Sequence, residues 1–312
     1  MPIHVNADNF VLAETHRMMH DLQRDAGGVN RFVHNRVPAA VDAQTVIRLN
    51  RDTLYSFAVV DISAGATLTL PEPGERYLSA MVVNEHHYID AIFHGAGEHR
   101  LTVEQFGTPY VVVAVRTLVD PAVESDLAEV AALQDEIGLE VGSSNPFELP
   151  DYDTAGLDET RDALLALARN LTAFDRTFGS RDDVDPVRHL IGTAAGWGGL
   201  PSIEATYLGV DPRLPVGQYE LTVGEVPVDG FWSISVYNRA GYFEPNDRGA
   251  YSINSITGVR NEDGTITVRF GDYPDDVPNA LPIVEGWNYL VRLYRPHPEI
   301  TDGRWSFPAL AQ

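Results

Sequence analysis

Residues 53–74 read TLYSFAVVDISAGATLTLPEPG. Two runs rich in Thr, Leu, Tyr, Phe, Val and Ile alternate with period two, and each ends in turn residues: Ser63-Ala64-Gly65 after the first, Pro71-Glu72-Pro73-Gly74 after the second. Alternation at period two places successive side chains on opposite faces of a strand, and Gly and Pro supply the backbone angles that let the chain reverse. Extended outward, the pattern holds from Thr45 to Val119, with further breaks at Gly95-Ala96-Gly97 and Gly107-Thr108-Pro109. A β unit of about six strands is expected here.

The period then changes. Asp8 to Asp25 places Val11, Met18, Met19 and Leu22 at roughly helical spacing before Gly27-Gly28. After Pro121, Val123, Leu127, Val130 and Leu133 recur every three or four residues among acidic side chains; a second helix follows from Asp158 to about Phe174, with Leu164, Leu165, Leu167 and Leu171 inward, and a third from Pro186. Period two returns from Gly217, in Gln218–Val223, Gly230–Asn238, Ala250–Thr257, Thr265–Phe270 and Trp287–Arg295, with a hairpin expected at Asn261-Glu262-Asp263-Gly264. The reading is a mainly β protein with helical insertions. An N-terminal helix (1–29), a first β-sandwich (30–119), a helical connector (120–209) and a second β-sandwich (210–312) are expected, with jelly-roll topology.

Composition removes whole classes of chemistry. The 312 residues include no lysine and no cysteine. Schiff-base catalysis, pyridoxal attachment, a phosphate-loop lysine, thiolate nucleophiles and thiolate metal sites are therefore excluded. Asp and Glu total 45 against 22 arginines, a formal charge of −23. That balance argues against nucleic acid and anionic membranes as partners, since both need clustered cations. It fits either an arginine-favouring genome composition or adaptation to molar salt, where a Debye length of about 3 Å screens self-repulsion. Met1 to Phe10 has no basic segment followed by an apolar one, and no later stretch reaches about 18 apolar residues, so a soluble cytoplasmic protein is expected. A homo-oligomer remains open.

Four cassettes concentrate polar side chains. The first is Asn50-Arg51-Asp52-Thr53-Leu54-Tyr55-Ser56, preceded by His34, and it reads either as an Asx-type turn with Arg51 and Asp52 paired or as the polar floor of a ligand cavity. The second, Asn84 to His94, puts His86, Tyr88, Asp90 and His94 on one face of an alternating strand and His87 on the other. The third, Asp185 to Gly199, is glycine-rich without the spacing of a dinucleotide fingerprint, and small residues there suit close packing with Trp197 over a core or pocket. No cofactor is expected. The fourth joins Asp229–Asn238, with Trp232 and Tyr237, to Gly286–Pro296, where Asn288, Arg292 and Tyr294 share a strand face. There Arg292 is either a structural cation or a grip for an anionic ligand end.

Together these cassettes resemble a known pair of families. The run from Val46-Ile47-Arg48 through Asn50–Ser56 to Arg76-Tyr77 resembles domain-of-unknown-function family 1254. Asp229–Asn238, Asn246, Asp263-Gly264, Leu281-Pro282 and Arg292–Pro296 resemble family 1214, its usual partner. The resemblance implies two β-sandwich domains joined by helices and carries no settled activity. Hydrolase or esterase labels within the family find little help here, because no Gly-x-Ser-x-Gly elbow occurs.

Three functions follow as expectations. The first is a hydrolase-like enzyme acting on a small molecule in an interdomain cleft, with Asp52 and either His87 or His34 handling protons. Asn50, Arg51, Tyr55, Tyr88, Trp232, Tyr237, Asn288, Arg292 and Tyr294 would then bind an anionic ligand. The second is a non-catalytic ligand-binding or assembly protein whose Trp232, Tyr237, Trp287 and Tyr289 rings line a cleft. The third, a metal-dependent hydrolase using His86, His87 or His94, lacks the usual His-x-His with a downstream carboxylate, and no metal is expected.

Overall fold

The computed structural model describes residues 1–44, 47–169, 171 and 173–310. Thr45 and Val46, where the first β region and the family resemblance were read to begin, lie outside the described residues; so do Asn170 and Thr172 of the second connector helix and Ala311 and Gln312. The chain divides into two compact units, one of residues 1–36, 54–118 and 128–201, the other of residues 37–53, 119–127 and 202–312.

Up to residue 201, in chain order, the α-helices and strands are α1 (Phe10–Asp25), β1 (Val33–His34), β2 (Thr53–Asp61), β3 (Ala66–Leu70), β4 (Leu78–Asn84), β5 (Ile89–His94), β6 (Gly97–Leu101), α2 (Val103–Phe106), β7 (Tyr110–Leu118), α3 (Glu124–Asp135), β8 (Gly138–Val141), α4 (Thr154–Ala168) and α5 (Pro186–Gly196), all in the first unit except Thr53 of β2 and residues 124–127 of α3. Strands β1-β2-β7-β4-β5 form one sheet and β6-β3-β8 another. Alternate residues of β2, β4 and β7, among them Val60, Val82 and Val113, meet Leu68 of β3 and Leu101 of β6 in one apolar cluster, which makes the two sheets a sandwich. Every residue of β4 is buried because the other face of its sheet is covered as well. There Arg116 of β7 donates to the Gly198 carbonyl at 2.8 Å. Helices α1, α4 and α5 share a separate cluster of Phe10, Ala13, Leu157, Leu164 and Ile191. Gly192 of α5 permits a close approach, since a Cβ there would stand 2.1 Å from Thr177 Cγ2.

The second unit holds β9 (Ala205–Val210), β10 (Tyr219–Val223), β11 (Trp232–Tyr237), β12 (Ser252–Asn254), β13 (Ile266–Phe270), β14 (Ala280–Leu281), β15 (Asn288–Tyr294) and α6 (Pro298–Thr301). Strands β12-β11-β15-β9 make an antiparallel sheet and β10-β13-β14 a second one. Trp232, Ile234 and Val236 of β11 and Tyr289, Val291 and Leu293 of β15 pack against Leu221, Val268 and Phe270 of the smaller sheet. By strand parity, Ser233, Ser235 and Tyr237 and Asn288, Arg292 and Tyr294 point the other way. That polar face is buried as well, under residues 48–52.

The expected mainly β architecture with helical insertions holds, including six strands between residues 53 and 118. Four local expectations are corrected. Residues 85–88 form a turn and not an alternating strand, because Asn84 Oδ1 accepts the backbone N–H groups of His86 and Tyr88 and His87 takes a positive φ of 60°. The Asn261–Gly264 turn exists, yet its flanks join different sheets: β12 pairs with β11, and β13 with β10 and β14. The stretch read as a helical connector also supplies β8 and β9. Leu167 of α4 is exposed.

Candidate functional site

The buried polar face of the second unit gathers much of what the first and fourth cassettes contain. Asn50 Oδ1 accepts the Asp52 N–H at 2.9 Å, an Asx turn, and its Nδ2 donates to Thr53 Oγ1 and to the Tyr294 hydroxyl. That turn delivers Asp52 to Ser233, which donates to Oδ2 at 2.6 Å. Asp52 is 1% exposed. Burial pushes its pKa above the ordinary carboxylate value, against the pull of Arg292 and the Ser233, Ser252 and Asn254 side chains. Arg51 does not pair with Asp52; it donates to the Ala39 carbonyl at 2.7 Å and lies over the Tyr251 ring.

Arg292, 2% exposed, spends its donors on protein oxygens: Ser235 Oγ at 2.8 Å, the Arg48 and Leu49 carbonyls at 2.8 and 3.3 Å, and the Tyr237 hydroxyl at 2.8 Å. Burial works against its charge, but Tyr237, Tyr294 and Asp52 hold its pKa above the usual arginine value. Tyr237 donates in turn to the Leu49 carbonyl at 2.9 Å. Asn288 donates to the Asn238 carbonyl at 2.7 Å. Among the described residues five buried side-chain atoms lack a hydrogen-bond partner: Asp52 Oδ1, Asn288 Oδ1 and Arg48 Nη1 here, and His99 Nε2 and Trp287 Nε1 elsewhere. Trp232 lies on the opposite face, inside the sandwich core.

The remaining candidates belong to the first unit. His87 is fully buried, and its ring places Nδ1 2.8 Å from Thr193 Oγ1 and accepts the Gly198 N–H at Nε2, 2.9 Å away. An N–H donor at Nε2 fixes the neutral tautomer with the proton on Nδ1, and Thr193 passes its own hydroxyl to the His189 carbonyl at 2.9 Å. Burial, with His189 nearby, holds the His87 pKa well below the ordinary value. Trp197, His87, His189 and Tyr88 form a stack of four rings with successive centroids 5.3, 5.4 and 4.8 Å apart. His34 sits beside Ser56 Oγ at 2.8 Å, and the Arg116 guanidinium lies over Tyr55. Asp52 thus has serines and an arginine around it, while His87 and His34 fall in the other unit. Among the described residues no group of three or more His, Cys, Asp or Glu is placed to hold a metal ion.

The second unit also contains a groove of about 1020 Å³. It lies where β9 and β10 end their sheets, with Leu208, Val210, Tyr289, Val291 and Leu293 on one side and Trp305, Phe307 and Leu310 of the C-terminal tail on the other. None of its described lining residues is charged; Gln218, Ser306 and the Tyr289 hydroxyl supply its polarity. Burial pushes the Tyr289 hydroxyl up to about 12, and it makes no hydrogen bond among the described residues. Of the aromatic residues expected to line a cleft, Tyr289 does so. The sequence reading missed β9 and the tail, although Thr206-Tyr207-Leu208-Gly209-Val210 and Trp305-Ser306-Phe307 carry the period-two signal. A shallower depression of about 460 Å³ in the first unit is edged by Glu75, Glu129 and Glu136.

No helix among the described residues is long and apolar enough to cross a membrane. A comparison with curated proteins found no match. Among solved structures, the VPA0106 protein from Vibrio parahaemolyticus is similar at 17% identity and a TM-score of 0.73, over 97% of this chain and 96% of that one. An uncharacterised protein from Burkholderia cenocepacia is similar at 13% identity and a TM-score of 0.54, over 98% and 89%. These likenesses speak to the fold. Residues 29–89 match DUF1254 and residues 214–298 match DUF1214, each described as a protein of unknown function. The chain therefore carries the arrangement of an N-terminal DUF1254 segment followed by a C-terminal DUF1214 segment.

Proposed function

We propose that this protein is a binding protein for a neutral, largely apolar small molecule, held in the groove of the second unit. The groove itself carries the reading. Its volume of about 1020 Å³ stands at the upper end of the range of small-molecule sites, about 300–1,000 Å³, which are lined mainly by apolar and aromatic side chains with a few polar points. An uncharged lining in a chain of net charge −23 disfavours charged ligands, which would be desolvated without a partner. The Tyr289 hydroxyl and Gln218 offer the hydrogen bonds that would orient an occupant.

The test is a fluorescence titration of the full-length protein with the neutral probe N-phenyl-1-naphthylamine. Saturable binding at one site per chain is expected. It should weaken at least about tenfold in Leu208→Trp, where the added indole fills the groove; an apolar group of that size is worth more than the roughly 1.4 kcal/mol that a tenfold change represents. Non-saturable binding, or equal affinity in the variant, would count against the proposal.

A further inference from the structure

We propose that Arg48, with Asn288 and Tyr237, forms a site for a small hydroxy-monocarboxylate on the buried polar face of the second unit, separate from the apolar groove. The first observation is an arginine with nothing to hold. Among the described residues the Arg48 guanidinium makes no hydrogen bond or ion pair, and its Nη1 is fully buried. Arg51, Arg188, Arg260 and Arg292, which also make no ion pair among the described residues, each donate to protein oxygens instead, and Arg48 does not. Asp211 acts on it electrostatically but lies 3.6 Å from Arg213.

The second observation is the way the backbone presents that side chain. Arg48 is a non-glycine residue with a positive φ of 56°. Such a conformation is strained for a residue with a Cβ and persists only where the surroundings enforce it. Here they do. The Arg48 N–H donates to the Gly241 carbonyl at 2.8 Å and its own carbonyl accepts from Arg292 at 2.8 Å. Gly241 has a φ of 89°, open to glycine at little cost. The guanidinium is thereby set over the Tyr237 ring, 5.2 Å from its centroid.

The third observation is an orphaned acceptor at the same tyrosine. Tyr237 pairs with Asn288 across β11 and β15, and Asn288, 6% exposed, leaves Oδ1 without a donor. A buried acceptor in that state points to a missing partner. Asp52 Oδ1, another unpartnered atom of this face, belongs with Ser233, four residues along β11 and roughly 13 Å away by strand rise.

Charge and hydrogen-bond inventory select the ligand. Arg48 is a cation without an ion-pair partner among the described residues and with the Arg292 cation acting on it; a monoanion offsets that one charge, which is the smallest change a ligand could make. A carboxylate matches the guanidinium fork, and a hydroxyl on the same molecule can donate to Asn288 Oδ1. Burial lowers the Arg48 pKa, as an unpaired cation requires, and a bound carboxylate would reverse that.

The experiment is isothermal titration of the full-length protein with glycolate, beside acetate, chloride and phosphate at constant ionic strength. One-site glycolate binding is expected, tighter than acetate and weakened at least about tenfold in Arg48→Gln, the effect of losing a charge-assisted hydrogen bond. Arg48→Lys, which keeps the charge and loses the fork, should fall between them. No saturable glycolate binding, equal response to every anion, or wild-type affinity in Arg48→Gln would overturn the proposal. If the variants fail to fold, phenylglyoxal modification of the wild-type protein with peptide mapping decides: glycolate should slow modification at Arg48, and an unchanged rate there would overturn the site. The apolar-probe titration is independent of either outcome.

Discussion

Arg292 sits in the protein interior hydrogen-bonded to neutral oxygens, with the Asp52 carboxyl and the Arg48 guanidinium acting on it electrostatically. Removing a buried charge that compensates an opposite one nearby costs up to about 3–5 kcal/mol. Arg292→Met should lose that much stability by urea denaturation, whereas exposed Arg304→Met should leave the midpoint unchanged. A loss below about 1 kcal/mol for Arg292→Met would show that Asp52 does not depend on it. His87 makes the opposite kind of commitment, to the neutral form. Its folded pKa is held well below 6.5, and that of His189 is lowered too. The unfolded chain therefore binds protons near pH 6.5 that the native chain refuses, so this stability is present above pH 6.5 and is lost as pH falls from there toward the folded values. The slope is at most about 1.4 kcal/mol per pH unit for each histidine. Urea unfolding between pH 7.5 and 5 should show the decline, and His87→Gln should remove part of it; identical slopes in the two proteins would contradict the assignment. The sequence could show that His87 stood among polar residues. It could not show that Thr193 and Gly198, more than a hundred positions away, would occupy both ring nitrogens.

Elements were legible where one physical cause dominated. Strands β2 to β7 follow from period two and from turns that only Gly and Pro make easy, and α5 starts at Pro186 because Asp185 caps the Val187 and Arg188 N–H groups. Reading failed where a side chain overrode the period. Asn84 closes a turn in the middle of what looks like a strand, the short β8 is hidden between two helices, and β9 follows directly on a third. The turn at Asn261–Gly264 was legible as a turn, but which sheets its flanks join depends on contacts with distant strands. The same holds for the candidate sites. That Asn288, Arg292 and Tyr294 share a face was readable from strand parity; that Tyr237 and the turn holding Asn50 and Asp52 would join them was not, because it depends on contacts between distant stretches of chain. The groove was not, because it depends on a tail that the sequence offers as a few aromatic residues without a partner.

At the scale of the whole molecule, a net charge of −23 sets the chemistry of the surface and the uncharged groove stands apart from it. Similarity over nearly the full length to proteins of 17% and 13% identity shows how little of the fold depends on particular residues. Function has to be read from sites, and the proposed reading rests on the groove. The most direct test is methyl NMR of the full-length 34.3 kDa chain, titrated with N-phenyl-1-naphthylamine. Shifts should saturate and should concentrate on Leu208, Val210, Leu214, Val291, Leu293 and Leu310, while Leu164 and Ile191 of the helical cluster stay fixed. Perturbations spread over the first unit, or absent from the groove methyls at saturating probe, would contradict the account.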